Sequence, residues 1–115
     1  MRSILRALAD VPGVRGSMVV TLDGMVVESL LGRSLREEVV AAMAASLILG
    51  TKRAVEAAER SFESFSLSST HGKMIVADTG SAFLVVVLDR NIDLGHAELE
   101  IRRAVRKVKS AGGAE

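Results

Sequence analysis

The chain has 115 residues, a formal net charge of +1, and no cysteine, tryptophan or tyrosine. Its length fits one domain, the lack of cysteine excludes disulfides and thiolate metal sites, and the nearly neutral charge gives no general preference for nucleic acid. The aromatic fraction of 3% argues against surfaces that stack nucleic-acid bases.

Apolar spacing and one turn predict the first helix and the first two strands. Residues 2–9 place apolar side chains on one helical face. They lack the long apolar core of a signal peptide, so we expect a cytoplasmic protein. Residues 16–22 and 25–30 follow as strands. Between them, Asp23-Gly24 predicts a type I′ hairpin turn, because both central positions of that turn need residues that tolerate positive φ.

A long second helix is predicted over residues 35–61. It starts at Ser34-Leu35-Arg36-Glu37, which matches a capping box. Its apolar run, residues 39–50, is shorter than the roughly 20 residues that cross a bilayer, so no membrane insertion is expected. The order α-β-β-α-β-β-β-α is completed by elements over residues 63–69, 73–78, 82–88 and 94–109. We expect one domain over residues 1–110 and a flexible tail over 111–115.

The second helix changes character along its length. One stripe is predicted to face the sheet: Val40, Met43, Ala44, Leu47, Thr51, Ala54, Ala58 and Phe62. The opposite face carries charges in the second half of the helix, namely Lys52, Glu56, Glu59, Arg60 and Glu63. In the first half, after Glu38, it holds only Ala41, Ala42, Ala45 and Leu49. A helix that is apolar all round is expected to be covered all round, which predicts a partner helix. Alternatively, alanine is simply the best helix former and lies exposed at little cost.

No motif indicates catalysis, a metal or a cofactor. The glycines form no phosphate-binding loop, His71 and His96 lie far apart, and no Gly-x-Ser-x-Gly elbow occurs. Asp78, Asp89 and Asp93 are expected to mark strand ends and a helix cap.

The last helix ends in five cations: Arg102, Arg103, Arg106, Lys107 and Lys109. They either complement the helix dipole in solvent or form a docking patch for an acidic partner, and no nucleic-acid motif accompanies them.

A family resemblance rests mainly on two stretches, DVPGVRG at residues 10–16 and MVVTLDGMVV at residues 18–27. They resemble the roadblock/dynein light chain (roadblock-LC7) family, and the long alanine-rich helix, the last two strands and Leu94-Gly95 are also similar to it. The resemblance implies an α/β (α+β) fold of the roadblock/profilin-like type. Its five-stranded antiparallel sheet has strands 2 and 3 at the edges, the long helix on one face and the other two helices on the opposite face.

The resemblance also implies a homodimer or heterodimer joined through strand 2 and the long helix. The implied interface is Met25, Val26, Val27, Glu28, Glu38, Ala41, Ala42, Ala45 and Leu49, with partner docking by Lys52, Glu56 and Arg60. Such proteins are adaptors and regulators of small Ras-like GTPases, and some accelerate GTP hydrolysis. We therefore expect a cytoplasmic, non-catalytic homodimer without cofactor that regulates or localises a small GTPase. The alternatives are a scaffold subunit without a GTPase and, third, a small-molecule sensor.

Overall fold

The computed structural model describes residues 1–57 and 63–114, with side-chain surroundings for 1–56 and 63–111. The helices are α1 (Arg2–Ala9), α2 (Glu37–Ala57) and α3 (Leu94–Ala114). The strands are β1 (Val14–Thr21), β2 (Val26–Leu31), β3 (Ser64–Ser68), β4 (Lys73–Asp78) and β5 (Ala82–Leu88). The predicted Ala58, Glu59, Arg60 and Phe62 lie outside the described residues, as does the predicted end of the second helix at residue 61.

The strands form one antiparallel sheet in the order β2-β1-β5-β4-β3. β2 and β3 are therefore the edges, and the continuously apolar β5 is the buried central strand. Residues of α2 pack on one face, against a set that includes Met18, Val20, Val76, Phe83 and Val85. Residues of α1 and α3 pack on the other, against a set that includes Val19, Ile75, Leu84, Val86 and Leu88. The predicted fold class is confirmed.

α2 begins two residues later than predicted, and the capping box does not form. Ser34 Oγ accepts a hydrogen bond from Arg15 Nη2 at 2.8 Å, and the Glu37 carboxylate accepts one from Ser29 Oγ. Both side chains of the predicted box are thus held by partners distant in sequence. The helix instead starts at Glu37, with the N–H of Val40 donating to the Arg36 carbonyl at 3.0 Å.

The stripe of α2 that faces the sheet agrees with the prediction at Val40 and Ala44, and Leu47 packs partly against the same core. It differs at Ile48, Met43 and Ala54. The buried residues are Val40, Ala44 and Ile48, spaced at i, i+4 and i+8. Met43, which the sequence analysis placed in the core, is 47% exposed. Ala54 is also exposed. Because residues at spacing four drift slowly around a helix, the buried side of α2 turns gradually along its length.

The β1–β2 connection is a three-residue loop rather than the predicted type I′ turn. The backbone N–H of Thr21 donates a hydrogen bond to the Met25 carbonyl at 2.8 Å, and the N–H of Gly24 donates one to the Thr21 carbonyl at 2.9 Å. Gly24 has φ +91°, the left-handed conformation that closes such loops. The Thr21 hydroxyl also accepts a hydrogen bond from Met25 N at 3.0 Å and bonds the Asp23 carboxylate. This side-chain bonding favours the longer loop, so β2 starts at Val26.

α3 continues through residues 111–114, where we predict a loose tail. Gly112 and Gly113 each disfavour a helix by about 1 kcal/mol relative to alanine. Extending an existing helix costs far less than nucleating one, so the last turn can persist despite two glycines.

Candidate functional site

The outward face of α2 carries an apolar stripe, which we call the outer patch: Val39, Ala42, Met43, Ser46, Leu49 and Gly50. Its three large side chains, Val39, Met43 and Leu49, are 46%, 47% and 52% exposed. No charged residue occurs between Glu38 and Lys52. Single exposed apolar residues are ordinary, but a continuous row of them indicates an interaction surface.

The four residues predicted to contact a partner helix divide between two positions. Ala42 and Leu49 belong to the outer patch. Ala41 and Ala45 are half-buried on the flank of α2. Ala45 lies against the β1–β2 hairpin, where a Cβ atom at Gly24 would be 3.2 Å from its own Cβ. The hairpin therefore already covers part of the alanine face.

The predicted residues of strand 2 surround a β-bulge. In the β1–β2 register, Val19 is opposite Glu28 and Val20 is opposite Val26, so Val27 has no partner. Met25 and Val27 are 66% and 51% exposed, whereas Val26 packs partly against the core under α2. A bulge interrupts the ladder spacing, so an added strand could pair regularly only along residues 28–31.

Charged side chains border this region. Glu28 forms an ion pair with Arg2 of α1 at 2.7 Å, and Glu38 forms one with Arg36 at 3.0 Å. Lys52 is half-buried, with its Nζ 5.8 Å from the centroid of the Phe83 ring. The third of the predicted docking residues, Arg60, lies outside the described part of the chain, and Glu56 is exposed. No ion pair joins Lys52 and Glu56, both of which are described.

The structure shows the predicted turn and cap roles for two aspartates. In the turn after β4, Asp78 Oδ1 accepts a hydrogen bond from the N–H of Gly80 at 2.7 Å. At the start of α3, Asp93 Oδ1 accepts one from the N–H of Gly95 at 3.1 Å and so caps the helix. Over residues 1–57 and 63–114, no three metal-binding side chains come together. Within the same ranges, no helix has both the length and the hydropathy needed to cross a bilayer.

Three features of the site were missed by sequence reasoning. They are the exposure of Met43, the exposure of Val39 and the bulge at Val27. The uncharged run between Glu38 and Lys52 was the available signal. It located the exposed face on the correct half of the helix, and two of the four residues predicted there, Ala42 and Leu49, lie on the outer patch.

Comparison with known proteins places the chain in a family. Residues 2–89 match the model of the Roadblock/LC7 domain. An uncharacterized protein of Methanocaldococcus jannaschii, MJ1340, is 35% identical over 108 residues, which cover 93% of this chain and 95% of that protein.

Two solved structures share the fold. MglB from Myxococcus xanthus superposes with a TM-score of 0.86 at 16% identity, over 98% of this chain and 94% of that one. A structure of MglB with a tetrameric arrangement superposes with a TM-score of 0.80 at 20% identity, over 95% and 85%. Roadblock/LC7 proteins are generally non-catalytic regulators or adaptors. The match over residues 2–89 and the identity to MJ1340 show that this chain belongs to the Roadblock/LC7 domain family.

Proposed function

We propose that this protein is a non-catalytic cytoplasmic homodimer that docks a small Ras-like GTPase and regulates or localises it. The observation that carries the proposal is the outer patch of α2. A soluble chain that leaves Val39, Met43 and Leu49 about half exposed in one row gains by burying them against protein.

Self-association is supported by the chemistry of the patch. Ala42, Ser46 and Gly50 are small and lie between the large side chains, so a second helix could approach closely without leaving a buried charge. The edge of β2 adds residues 28–31, where a second copy could pair its own strand. A tetrameric arrangement of MglB is consistent with a fold that associates with itself.

The dimer is tested with Leu49→Glu. Two carboxylates at a helix–helix contact would be desolvated and would repel each other, so we expect a monomer by light scattering where the wild type is a dimer. Leu99→Glu on α3 is the matched control, because Leu99 is 48% exposed and Leu49 is 52% exposed. The control should remain a dimer. An unchanged mass for Leu49→Glu, with circular dichroism unaltered, would exclude this interface.

The GTPase partnership is tested separately. The protein is mixed with the Ras-like GTPases of its own source organism, loaded with GDP or with a non-hydrolysable GTP analogue. We expect a complex in at least one nucleotide state, and the rate of GTP hydrolysis then distinguishes regulation from localisation. A regulator can act by repositioning the GTPase's own catalytic groups, so no residue of this chain needs to enter the active site. If no complex forms and only other proteins co-purify, the scaffold alternative replaces the proposal.

A further inference from the structure

The two helices on the face of the sheet opposite α2 hold an excess of positive charge. α1 and α3 together carry seven lysine or arginine residues and two glutamates, which is a net charge of +5. Because the whole chain has a net charge of +1, all its other residues together carry −4. The protein is therefore electrically asymmetric, although its total charge is nearly zero.

Charge is also sorted along these helices. α1 leads into β1 and α3 follows β5, and Val14 at the start of β1 is opposite Leu88 at the end of β5. The C-terminus of α1 and the N-terminus of α3 therefore lie at the same end of the sheet, where Asp10 and Asp93 occur. The N-terminus of α1 and the basic half of α3 lie toward the other end.

The outward side of α3 carries cations and no carboxylate over residues 99–110. Four residues of the helix are buried against the sheet: Ala97, Ile101, Ala104 and Val108. At about 100° per residue, five exposed residues point most directly away from them: Leu99, Arg102, Arg103, Arg106 and Ser110. Glu98 and Glu100 lie on the two flanks of the helix instead.

The two flanks of α3 differ in charge. The flank toward β3 borders a cleft that also contains the carboxylates Glu63, Asp78 and Glu98, so that side is mixed. The opposite flank faces α1, which packs over β1 and β2. Lys107 lies on this flank. The outward side and the α1 flank together form the basic part of the face.

Most cations of this face have no carboxylate partner. Arg2 pairs with Glu28 at 2.7 Å, and Arg103 pairs with Glu100 at 2.9 Å. Among the described residues, no carboxylate oxygen lies within 4.0 Å of the charged group of five others: Arg6, Arg102, Arg106, Lys107 and Lys109. These five cations are exposed and available to an anionic partner.

The uncharged residues of the face distinguish between anionic partners. Phe65 and Phe83 pack on the α2 side of the sheet, so among the described residues no aromatic ring is available here to stack a nucleic-acid base. Leu99 is 48% exposed among the arginines. A phosphate backbone or an acidic peptide offers no apolar contact to it, whereas the boundary between lipid headgroups and acyl chains accepts apolar side chains surrounded by cations.

We propose that the face formed by α1 and α3 binds peripherally to membranes that contain anionic lipids. Arg6, Arg102, Arg103, Arg106 and Lys107 would contact the lipid phosphates, and Leu99 would reach the boundary between headgroups and acyl chains. The protein would lie on the membrane without crossing it. Because the outer patch lies on the other face of the sheet, this inference does not depend on the proposed function, and both faces can be occupied at once.

The binding test is cosedimentation of the full chain with vesicles of phosphatidylcholine, prepared with or without phosphatidylglycerol. We expect affinity at least tenfold higher for the vesicles with phosphatidylglycerol, and we expect high salt to reduce it because exposed charges are screened. Equal affinity for the two kinds of vesicle would overturn the proposal. Binding of duplex DNA or polyglutamate as tight as that of the vesicles, at equal concentration of anionic groups, would also overturn it.

One pair of variants locates the charged contact. Each cation close to an anionic membrane contributes about fivefold to affinity. Arg106→Glu removes such a cation and adds repulsion, so binding should weaken at least tenfold. Arg33→Glu makes the same change at an exposed position of the β2–α2 loop and should stay within twofold. Equal losses for the two variants would exclude this face. If Arg106→Glu proves unfolded by circular dichroism, Arg106→Gln replaces it and should lose at least threefold.

A second pair tests the apolar contact. Leu99→Ser should weaken binding to the vesicles at least fivefold and leave any residual affinity for DNA within twofold, because only the membrane buries this side chain. Leu22→Ser is the matched control, since Leu22 is 52% exposed in the β1–β2 loop, and it should stay within twofold. An unchanged affinity of Leu99→Ser for the vesicles would show that charge alone holds the protein and would overturn the assignment of Leu99.

Discussion

β2 and β3 are the two outer strands of one sheet, yet they end it differently. β2 carries a bulge at Val27 and an ion pair from Glu28 to Arg2. The turn that joins it to β1 packs against Ala45 of α2. β3 has an unbroken register with β4 and presents backbone groups at three evenly spaced serines.

The difference indicates two kinds of recognition. Bulges are one way in which sheets discourage a long added strand. The proposed self-association would therefore rely largely on side-chain surface, chiefly the outer patch of α2, and less on the backbone of β2. At the β3 side, the register with β4 continues without a bulge over residues 64–68.

The largest expected effect concerns how closely β2 approaches β1. A Cβ atom at Gly16 would lie 2.8 Å from Leu31 Cα, which is backbone and cannot easily move. Gly16→Ala should lower the free energy of unfolding by about 2 kcal/mol. Urea denaturation at one fixed protein concentration measures this loss of stability. Ser66→Ala on the β3 edge is the control, expected within about 0.5 kcal/mol. Equal midpoints for the two variants would remove this asymmetry between the edges.

A second prediction concerns the strand that supports β2. The Ser17 hydroxyl is buried on β1 and has no hydrogen-bond partner among the described residues. An unsatisfied buried hydroxyl costs about 1 kcal/mol or more, so Ser17→Ala should raise stability by about 1 kcal/mol. Thermal denaturation measures this gain in stability, with Ser64→Ala as a solvent-exposed control. A decrease in melting temperature would mean that the hydroxyl has a partner in solution.

The third prediction distinguishes the fold from the association. A Cβ atom at Gly50 meets nothing within 4 Å, so Gly50→Ala should stabilise the folded chain by about 0.7 kcal/mol through helix propensity. Urea denaturation in the Leu49→Glu background measures this gain. In the otherwise wild-type chain, the added methyl should weaken self-association severalfold by sedimentation. Unchanged association would place Gly50 outside the dimer contact.

The smallest effect is expected for Arg2→Ala, which breaks the ion pair that joins α1 to the β2 edge. Both side chains are partly exposed, so the loss should be about 0.5 kcal/mol or less. It should disappear in 1 M salt, where exposed charges are screened. Arg36→Ala breaks a pair that is local to the start of α2 and serves for comparison. A loss above about 1 kcal/mol would show that the pair fixes the edge.

The order of the elements could be predicted because each depends on local sequence. The bounds of α1, β4 and β5 agree with their predictions, since apolar periodicity and flanking turn residues define them. β2 lies one residue later than predicted, and β3 is one residue shorter at each end. β1 starts two residues earlier than predicted and ends one residue earlier. The β1–β2 loop gained a residue because the Thr21 side chain bonds within it.

The details that failed depend on distant residues. Arg15 engages Ser34 from 19 positions away, and no pattern local to Ser34 contains that information. The exposure of Met43 depends on which side of α2 packs on the sheet, and only the packed structure shows that side. The bulge at Val27 follows from pairing with β1, not from the residue type. The placement of the candidate surfaces therefore required the tertiary structure, although the segments that form them were visible in the sequence.

The bulge at Val27 amounts to one surplus residue in β2. Loss of a single codon there would remove the irregularity and leave a regular outer strand. The sheet would then be open at both ends, because β3 already presents a regular edge. Chains with two regular edges can pair edge to edge and leave an edge free at each end, so the surplus residue at Val27 acts against open-ended association.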